Sequence, residues 1–308
     1  IIALTGQRRV GKSFIMRQVI KELSQDSAAH VIYIDKDNEE FSFVQSHEEL
    51  TKYVKSNLLS NKRNYLFVDE IQNIKEFEVS LRSFHTNDEC EMVITGSNAK
   101  MLSSELSTYL SGRCVEYHIQ SLDYREFLTF HRLSDNNQAL HNYLKYGGLP
   151  QLHRIGLEET ELVDDYLKSV YHTIVLKDVI EREEIRNVPL LKNLIRFVGD
   201  NVGKVFSASS IVKYLKSQQV DSSTRVILNY LEYLCNAYII NRVNRYDIHG
   251  KRLFELNDKF YFEDIGIRNS LVASGRSSSM EKVIENVIYL HLVRLGYEVT
   301  VGQLQKAE

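Results

Sequence analysis

Long apolar runs, metal-spaced cysteines and flexible joints are what this chain lacks. No apolar stretch approaches the roughly 18 residues that a membrane-spanning helix needs, so no membrane partner is expected. The three cysteines, Cys90, Cys114 and Cys235, lie far apart and make no metal-ligand spacing. They read as buried free thiols, which suits a reducing, cytoplasmic setting. Two prolines and 14 glycines leave no room for a flexible linker, so the domains are expected to abut. There is no internal repeat and no low-complexity tract. A formal net charge of −3 does not favour a polyanion partner overall, so any basic surface must be local. What remains is ordinary globular composition, 43% hydrophobic and 26% charged, in 308 residues that suffice for two or three compact units. The chain opens inside a strand, so further sequence is expected before Ile1, and a targeting signal there stays open.

Against that plain background one stretch stands out. Gly6-Gln7-Arg8-Arg9-Val10-Gly11-Lys12-Ser13 reads G-x-x-x-x-G-K-[ST], the phosphate-binding P-loop. Ile1-Ile2-Ala3-Leu4-Thr5 before it can end a buried strand, and Phe14 to Leu23 after it has the apolar spacing of a helix. Glycines let the backbone fold tightly, so that its N–H groups point at phosphate oxygens. The helix N-terminus adds roughly half a positive charge. In this setting Lys12 is expected to reach the β- and γ-phosphates of ATP and Ser13 to join the shell of Mg²⁺.

The rest of the first half alternates strands and helices. Strands are expected at His30–Asp35, Tyr65–Glu70, Cys90–Asn98 and Cys114–Ile119, and helices at Ser46–Leu59, Glu76–Phe84 and Leu102–Leu110. Such alternation means a parallel sheet with helices on both faces, and ligands then bind at the carboxyl ends of the strands. The P-loop, Asp69-Glu70 and Ser97-Asn98 all fall there. Asp69 closes an apolar strand, as a Mg²⁺-associated carboxylate should. Pleat alternation points Glu70 the other way, where a general base could hold water against the γ-phosphate. Ser97 and Asn98 could bond that water or the γ-phosphate, or simply cap a helix.

From Tyr124 to about Asn187 the pattern is wholly helical, broken once at Gly147-Gly148-Leu149-Pro150, with a long helix expected over Glu161–Arg186. Leu190–Val198 is helical, Ser207 caps Ala208–Leu215, and Asp221-Ser222-Ser223 cap Thr224–Asn236. Two strand-like runs follow, Tyr238–Arg245 and Leu253–Phe262, joined by a turn at His249-Gly250. Helices followed by a ribbon describe a winged helix. Residues 190–262 carry 11 Lys/Arg against 6 Asp/Glu, a local basic excess. Arg225, Arg242, Arg245, Lys251 and Arg252 are the cations on the elements that would face a duplex; packing against protein fits the same pattern. Met280–Leu295 reads as an amphipathic helix containing Glu285, and Tyr297–Val301 alternates as a strand. A lone helix and strand leave half a hydrophobic face uncovered, so a continuation past Glu308 is expected.

The GQRRVGKS loop, the YLFVDEIQ and ITGSNA strands, SGR at 111–113 and SLDYREF at 121–127 resemble AAA+ ATPases. With YGGLP at 146–150, KFYFEDIGIRNSL at 259–271 and EKVIENVIYLHLVRLGYEV at 281–299, the chain is similar to a prokaryotic group with a C-terminal winged helix and a restriction-endonuclease-like segment. The resemblance implies an α/β fold with sheet order 5-1-4-3-2. It implies a nucleotide core at 1–127, a helical lid at 128–189, a winged helix at 190–262 and an incomplete nuclease-like segment at 263–308. It also implies Ser97 or Asn98 as the γ-phosphate sensor, Arg113 as a candidate arginine finger in a homo-oligomer, and Glu285 with Glu308 as candidate Mg²⁺ carboxylates. Arg8 and Arg9 match the group's RR without an evident task. Three functions follow: an ATPase that moves a DNA- or protein-binding C-terminal region, a slow nucleotide-dependent switch or scaffold, and an ATP-gated nuclease. Lys12, Asp69 and Glu70 together favour hydrolysis.

Overall fold

The computed structural model describes residues 1–99, 112–244, 258–272 and 280–302. The chain divides into two compact units, Ile1–Gln120 and Ser121–Glu308.

In the first unit five strands lie parallel: β1 (Ile2–Thr5), β2 (Ala29–Asp35), β3 (Arg63–Asp69), β4 (Glu91–Gly96) and β5 (Val115–His118). Their order is β2-β3-β4-β1-β5, the arrangement that the resemblance implies. The pleat sorts their side chains. Ala3, Ile34, Leu66, Val68 and Ile94 pack on one face with Leu50 and Val54 of α2 (His47–Asn57) and Leu81 and Phe84 of α3 (Phe77–Thr86). Leu4 and Phe67 face the other way, against Met16 of α1 (Lys12–Leu23). Burial on both faces is why β3 and β4 read as continuous apolar runs rather than alternating ones. Helix starts follow from local chemistry. The Ser46 backbone N–H donates to Glu49 Oε2 (2.9 Å), closing a capping box ahead of α2. β5 departs from its expected pattern: all four of its residues are exposed, so its alternation marks no buried face. The helix expected at Leu102–Leu110 lies outside the described residues.

The second unit is helical up to a short ribbon. Its elements are α4 (Tyr124–His131), α5 (Asn137–Tyr146), α6 (Leu152–Ile155), α7 (Thr160–Thr173), α8 (Val188–Asp200), α9 (Ala208–Ser217) and α10 (Thr224–Asn236). Then come β6 (Ile240–Val243), β7 (Lys259–Phe262), α11 (Ile265–Leu271) and α12 (Met280–Arg294). The single helix expected over Glu161–Arg186 is instead α7 running into a wider π-turned stretch, Ile174–Glu181. β6 and β7 pair antiparallel, Ile240 opposite Phe262 and Val243 opposite Lys259. The expected turn at His249-Gly250 and Leu253–Asn257 lie outside the described residues. Tyr297–Val301 is not a strand. Among the described residues Val301 N donates to Asn244 O (3.0 Å), next to the end of β6. Alternating side chains favour strand geometry, but a ladder also needs a partner of matching length.

Three stretches far apart in sequence meet at the buried Asp264 carboxylate. Gly148 N donates to its Oδ2 (2.9 Å) and Ile267 N, in the first turn of α11, to its Oδ1 (3.0 Å). Gly148 O accepts from Leu122 N (2.8 Å). A Cβ at Gly266 would lie 1.9 Å from Tyr146 O, so glycine alone permits this approach. Burial pushes the Asp264 carboxyl up, while the backbone donors pull it back. Asp264→Ala removes the acceptor from the N–H groups of Gly148, Gly266 and Ile267 and from the Ser121 hydroxyl, at about 1–3 kcal/mol for each donor left buried and unpaired, less the desolvation relieved. The expected net loss is about 3 kcal/mol, or on the order of 10 °C in melting temperature. Thermal unfolding of the variant checks this, and a melting temperature equal to that of the wild type would remove Asp264 from the core of the unit.

Candidate active site

Register brings the chemistry to one end of the sheet. Thr5 pairs with Gly96, and Val68 with Ile94, so the P-loop, Asp69-Glu70 and Ser97 leave adjacent strands together. The loop needs its glycines. Gly6 has φ +132°, and a Cβ there would sit 2.1 Å from Ile119 O; Gly11 has φ +107°. Arg9 is also left-handed, at φ 70°. Phe14 N and Ile15 N both bond Gly11 O at 3.0 Å, so α1 begins where the loop ends. Gln7 and Val10 are buried, Arg8 is half-buried and Arg9 is exposed. Lys12 is 4% exposed and folds over the loop, its Nζ donating to Gly6 O (2.8 Å) and Gln7 O (2.9 Å).

The two carboxylates take different surroundings. Asp69 ends β3 and hydrogen-bonds the hydroxyls of Thr95 and Ser13. Burial pushes its carboxyl up, and the two hydroxyls offset part of that. Glu70 was expected to be the next strand residue. It has instead left the strand, at φ 55° and ψ 50°, and heads the turn Ile71–Asn73. Its N–H donates to Thr95 Oγ1 (2.9 Å). The left-handed turn, not pleat alternation, separates the two carboxylates. Burial works to raise the Glu70 carboxyl, but Lys12, Arg8 and bonds from Gln72 and Ser97 outweigh it and hold the group below its ordinary range. Arg8 Nη2 lies 3.6 Å from Glu70 Oε2, which gives the first arginine of the loop a task.

Of the expected site residues, Gly6 to Ser13, Asp69, Glu70 and Ser97 come together, and Asn98 follows Ser97 as a buried side chain. Arg113 does not join them. It is exposed, and its carbonyl accepts from the Ile1 amine (3.1 Å), at the amino-terminal edge of the sheet. Thr95 and Gln72 were missed. Thr95 was legible as a polar residue one step before the end of an apolar strand. Gln72 ends the YLFVDEIQ motif, but the motif gave it no role, since its partners are set by the turn. Glu285 is occupied by Lys259 Nζ and Tyr261 OH, each 2.8 Å from its Oε1, and Glu308 lies outside the described residues. Among the described residues no group of three His, Cys, Asp or Glu side chains could hold a metal. A cavity of about 610 Å³ opens in the second unit beside His131, His141, Lys145, His153 and Glu158, and no P-loop residue lines it. Burial pushes the His131 imidazole down to about 4 there, so it is neutral near pH 7.

The residues at the P-loop fit a nucleotide with its hard cation. A hydroxyl and a buried carboxylate stand together at Ser13 and Asp69, the oxygen donors that Mg²⁺ prefers. The desolvation that raises Asp69 would be relieved by a cation.

Residues 1–128 match the family described as AAA domain, and residues 137–278 match one described as a domain of unknown function. An uncharacterized protein of Haemophilus influenzae is 31% identical to this chain over 315 residues, covering all of it and 78% of that protein. The chain belongs to that protein's family, and its amino-terminal part is an AAA domain. An uncharacterized protein of Methanocaldococcus jannaschii is 29% identical over 96% of this chain and 67% of its own length. Among solved structures, a Walker-type ATPase of Pyrococcus abyssi matches with a TM-score of 0.58 at 14% identity, over 88% of this chain and 90% of that one. That likeness is one of fold, the α/β P-loop type with a five-stranded parallel sheet. No helix among the described residues is long and apolar enough to cross a membrane.

Proposed function

We propose that the AAA domain binds ATP with Mg²⁺ and hydrolyses it, and that the cycle switches or moves the C-terminal region. The observation that carries this is Glu70: a buried carboxylate kept ionised beside Lys12 and Arg8, one residue from Asp69. A charged carboxylate beside the loop is what a general base for hydrolysis requires. In this reading the backbone of Gly6 to Ser13 cradles the phosphates and Lys12 neutralises them. Ser13 and Asp69 would hold Mg²⁺, which screens the phosphate charge. Glu70 takes a proton from the attacking water, and Ser97 and Asn98 sense the γ-phosphate. Phosphate release from ATP, measured with and without duplex DNA, tests it. A chain that binds ATP and releases no phosphate is the slow switch instead.

We take residues 1–127 as the nucleotide core, 128–189 as a helical lid and 190–262 as a winged helix. Ser223 caps α10, its Oγ accepting from Val226 N (3.3 Å), so the helix starts where that reading needs it. Two described ribbon cations are spent internally, Arg242 on Asp258 (2.6 Å) and Lys259 on Glu285 (2.8 Å). That favours a protein partner over a duplex for this face. The nuclease reading draws no support from the described residues, because Glu285 is engaged with the ribbon.

Arg113 lies at the amino-terminal edge of a sheet whose P-loop is at the other, so only a second copy could bring it to a nucleotide. Turnover per subunit should therefore rise with protein concentration, by about a thousandfold between monomer and assembly, and Arg113→Ala should flatten the rise. A rate independent of concentration rules this role out.

A further inference from the structure

Gln72 has no part in the reading above, yet its side chain is committed to the site. The turn Ile71–Asn73 folds back on Glu70, with Asn73 N donating to Glu70 O (3.0 Å). This returns the Gln72 amide to the carboxylate two residues earlier. Gln72 Nε2 donates to Glu70 Oε2 and to Ser97 Oγ (3.3 Å), and Ser97 Oγ donates to the same Oε2 (3.1 Å). Arg8 approaches that oxygen too. All three contacts fall on Oε2, and none of them on Oε1. The last torsion of a glutamate is broad and weakly restrained by itself. Here the backbone N–H is tied to Thr95, the side chain is buried and one oxygen is clamped, so the carboxylate plane is set. The amide's own orientation is set as well. Gln72 Oε1 is buried and takes no hydrogen bond among the described residues. An orphaned acceptor of that kind costs about 1–3 kcal/mol, so the amide is placed by its donors and not by its carbonyl.

We propose that Gln72 is a positioning residue for hydrolysis: its amide, with Ser97, clamps Oε2 of Glu70 so that Oε1 receives the proton of the attacking water. This rests on the hydrolytic reading. In the step, the water oxygen bonds the γ-phosphorus, the bond from that phosphorus to the β–γ bridging oxygen breaks, and ADP leaves with the electron pair. One water proton passes to Glu70 Oε1. In this step Gln72 acts through Glu70.

The test is Gln72→Met, which keeps length and loses the donor, beside Gln72→Glu, which keeps shape and replaces the donor with an acceptor. Steady-state kinetics and ATP-induced thermal stabilisation are read on both. The expected result is a kcat about 10–100-fold lower, as a misplaced catalytic group produces, with KM and ATP stabilisation unchanged. A kcat equal to that of the wild type in either folded variant, while Glu70→Gln is inactive, overturns the inference alone. A rise in KM that accounts for the whole loss overturns it too, by making Gln72 a binding residue. A wild-type chain that binds ATP without turnover overturns the hydrolytic reading, and the inference with it.

Discussion

Lys12→Ala is expected to abolish the thermal stabilisation that ATP and Mg²⁺ would confer on the chain under the proposed reading. Lys12 is almost fully buried, and its ammonium spans the first two carbonyls of the loop, Gly6 and Gln7. The substitution thus removes two things: the cation that faces the phosphates and the brace that holds the loop's entry. It also takes away the largest opposite charge near Glu70, leaving that buried carboxylate to Arg8. With ATP at about one hundred times its Kd, binding stabilises a folded protein by about 2.7 kcal/mol. For a domain of this size that is a shift on the order of 10 °C. The variant is expected to show none of it. An ATP-induced shift that survives intact in Lys12→Ala would mean that the nucleotide does not bind at this loop.

Glu70→Gln is expected to keep the whole of that shift and to lose turnover by a factor of about 10²–10⁴. The clamp explains why the variant should fold and bind. A glutamine at position 70 can leave its carbonyl oxygen where Oε2 now accepts from Gln72 and Ser97, and set its amide where Oε1 stands. That trades the proton acceptor for a donor and leaves the rest in place. Asp69 keeps its hydroxyl partners, Ser13 and Thr95, and with them the proposed Mg²⁺ site. Phosphate release and thermal shift on the same preparation separate the cases. Turnover at the wild-type rate removes Glu70 as the base. Equal loss of binding and turnover would put Glu70 in the metal shell instead.

Much of this site was legible because its parts are local. The P-loop is eight consecutive residues between a strand and a helix, so its turn is set by neighbours in sequence. Asp69-Glu70 was legible for a similar reason, since two carboxylates after four apolar residues mark a strand's end. Strand β3 was found from unbroken hydrophobicity, which is what burial on two faces produces. The caps at Ser207 and Ser223 were legible because capping acts over three residues. Where the sequence misled, local preference met a longer-range condition. Tyr297–Val301 alternates, but among the described residues only Val301 forms a bridge. The pattern over Glu161–Arg186 is helical throughout, but i to i+4 spacing alone does not exclude the wider π turn at Ile174–Glu181.

The amino-acid sequence by itself determined the phosphate loop, the strand ends that carry acid, the alternation that makes the sheet parallel and the helix starts of the second half. Each of these is written in residues within a turn or two of one another, where backbone geometry fixes the neighbours. Only the tertiary structure decided which distant side chains those acids meet. Thr95 and Ser97 reach Asp69 and Glu70 because β4 lies beside β3 in one register, and a shift of one residue would turn both away. Glu70 is turned by a left-handed backbone that no periodicity announces, and Gln72 returns to it through the turn that follows. Arg113 is separated from the loop because parallel strands put their two ends on opposite edges. Asp264 meets Gly148 across 116 positions, where a fully desolvated carboxylate must find every N–H within reach. Hydrogen-bond choice in a buried site depends on what has been excluded from water, and that is settled by packing rather than by the order of residues.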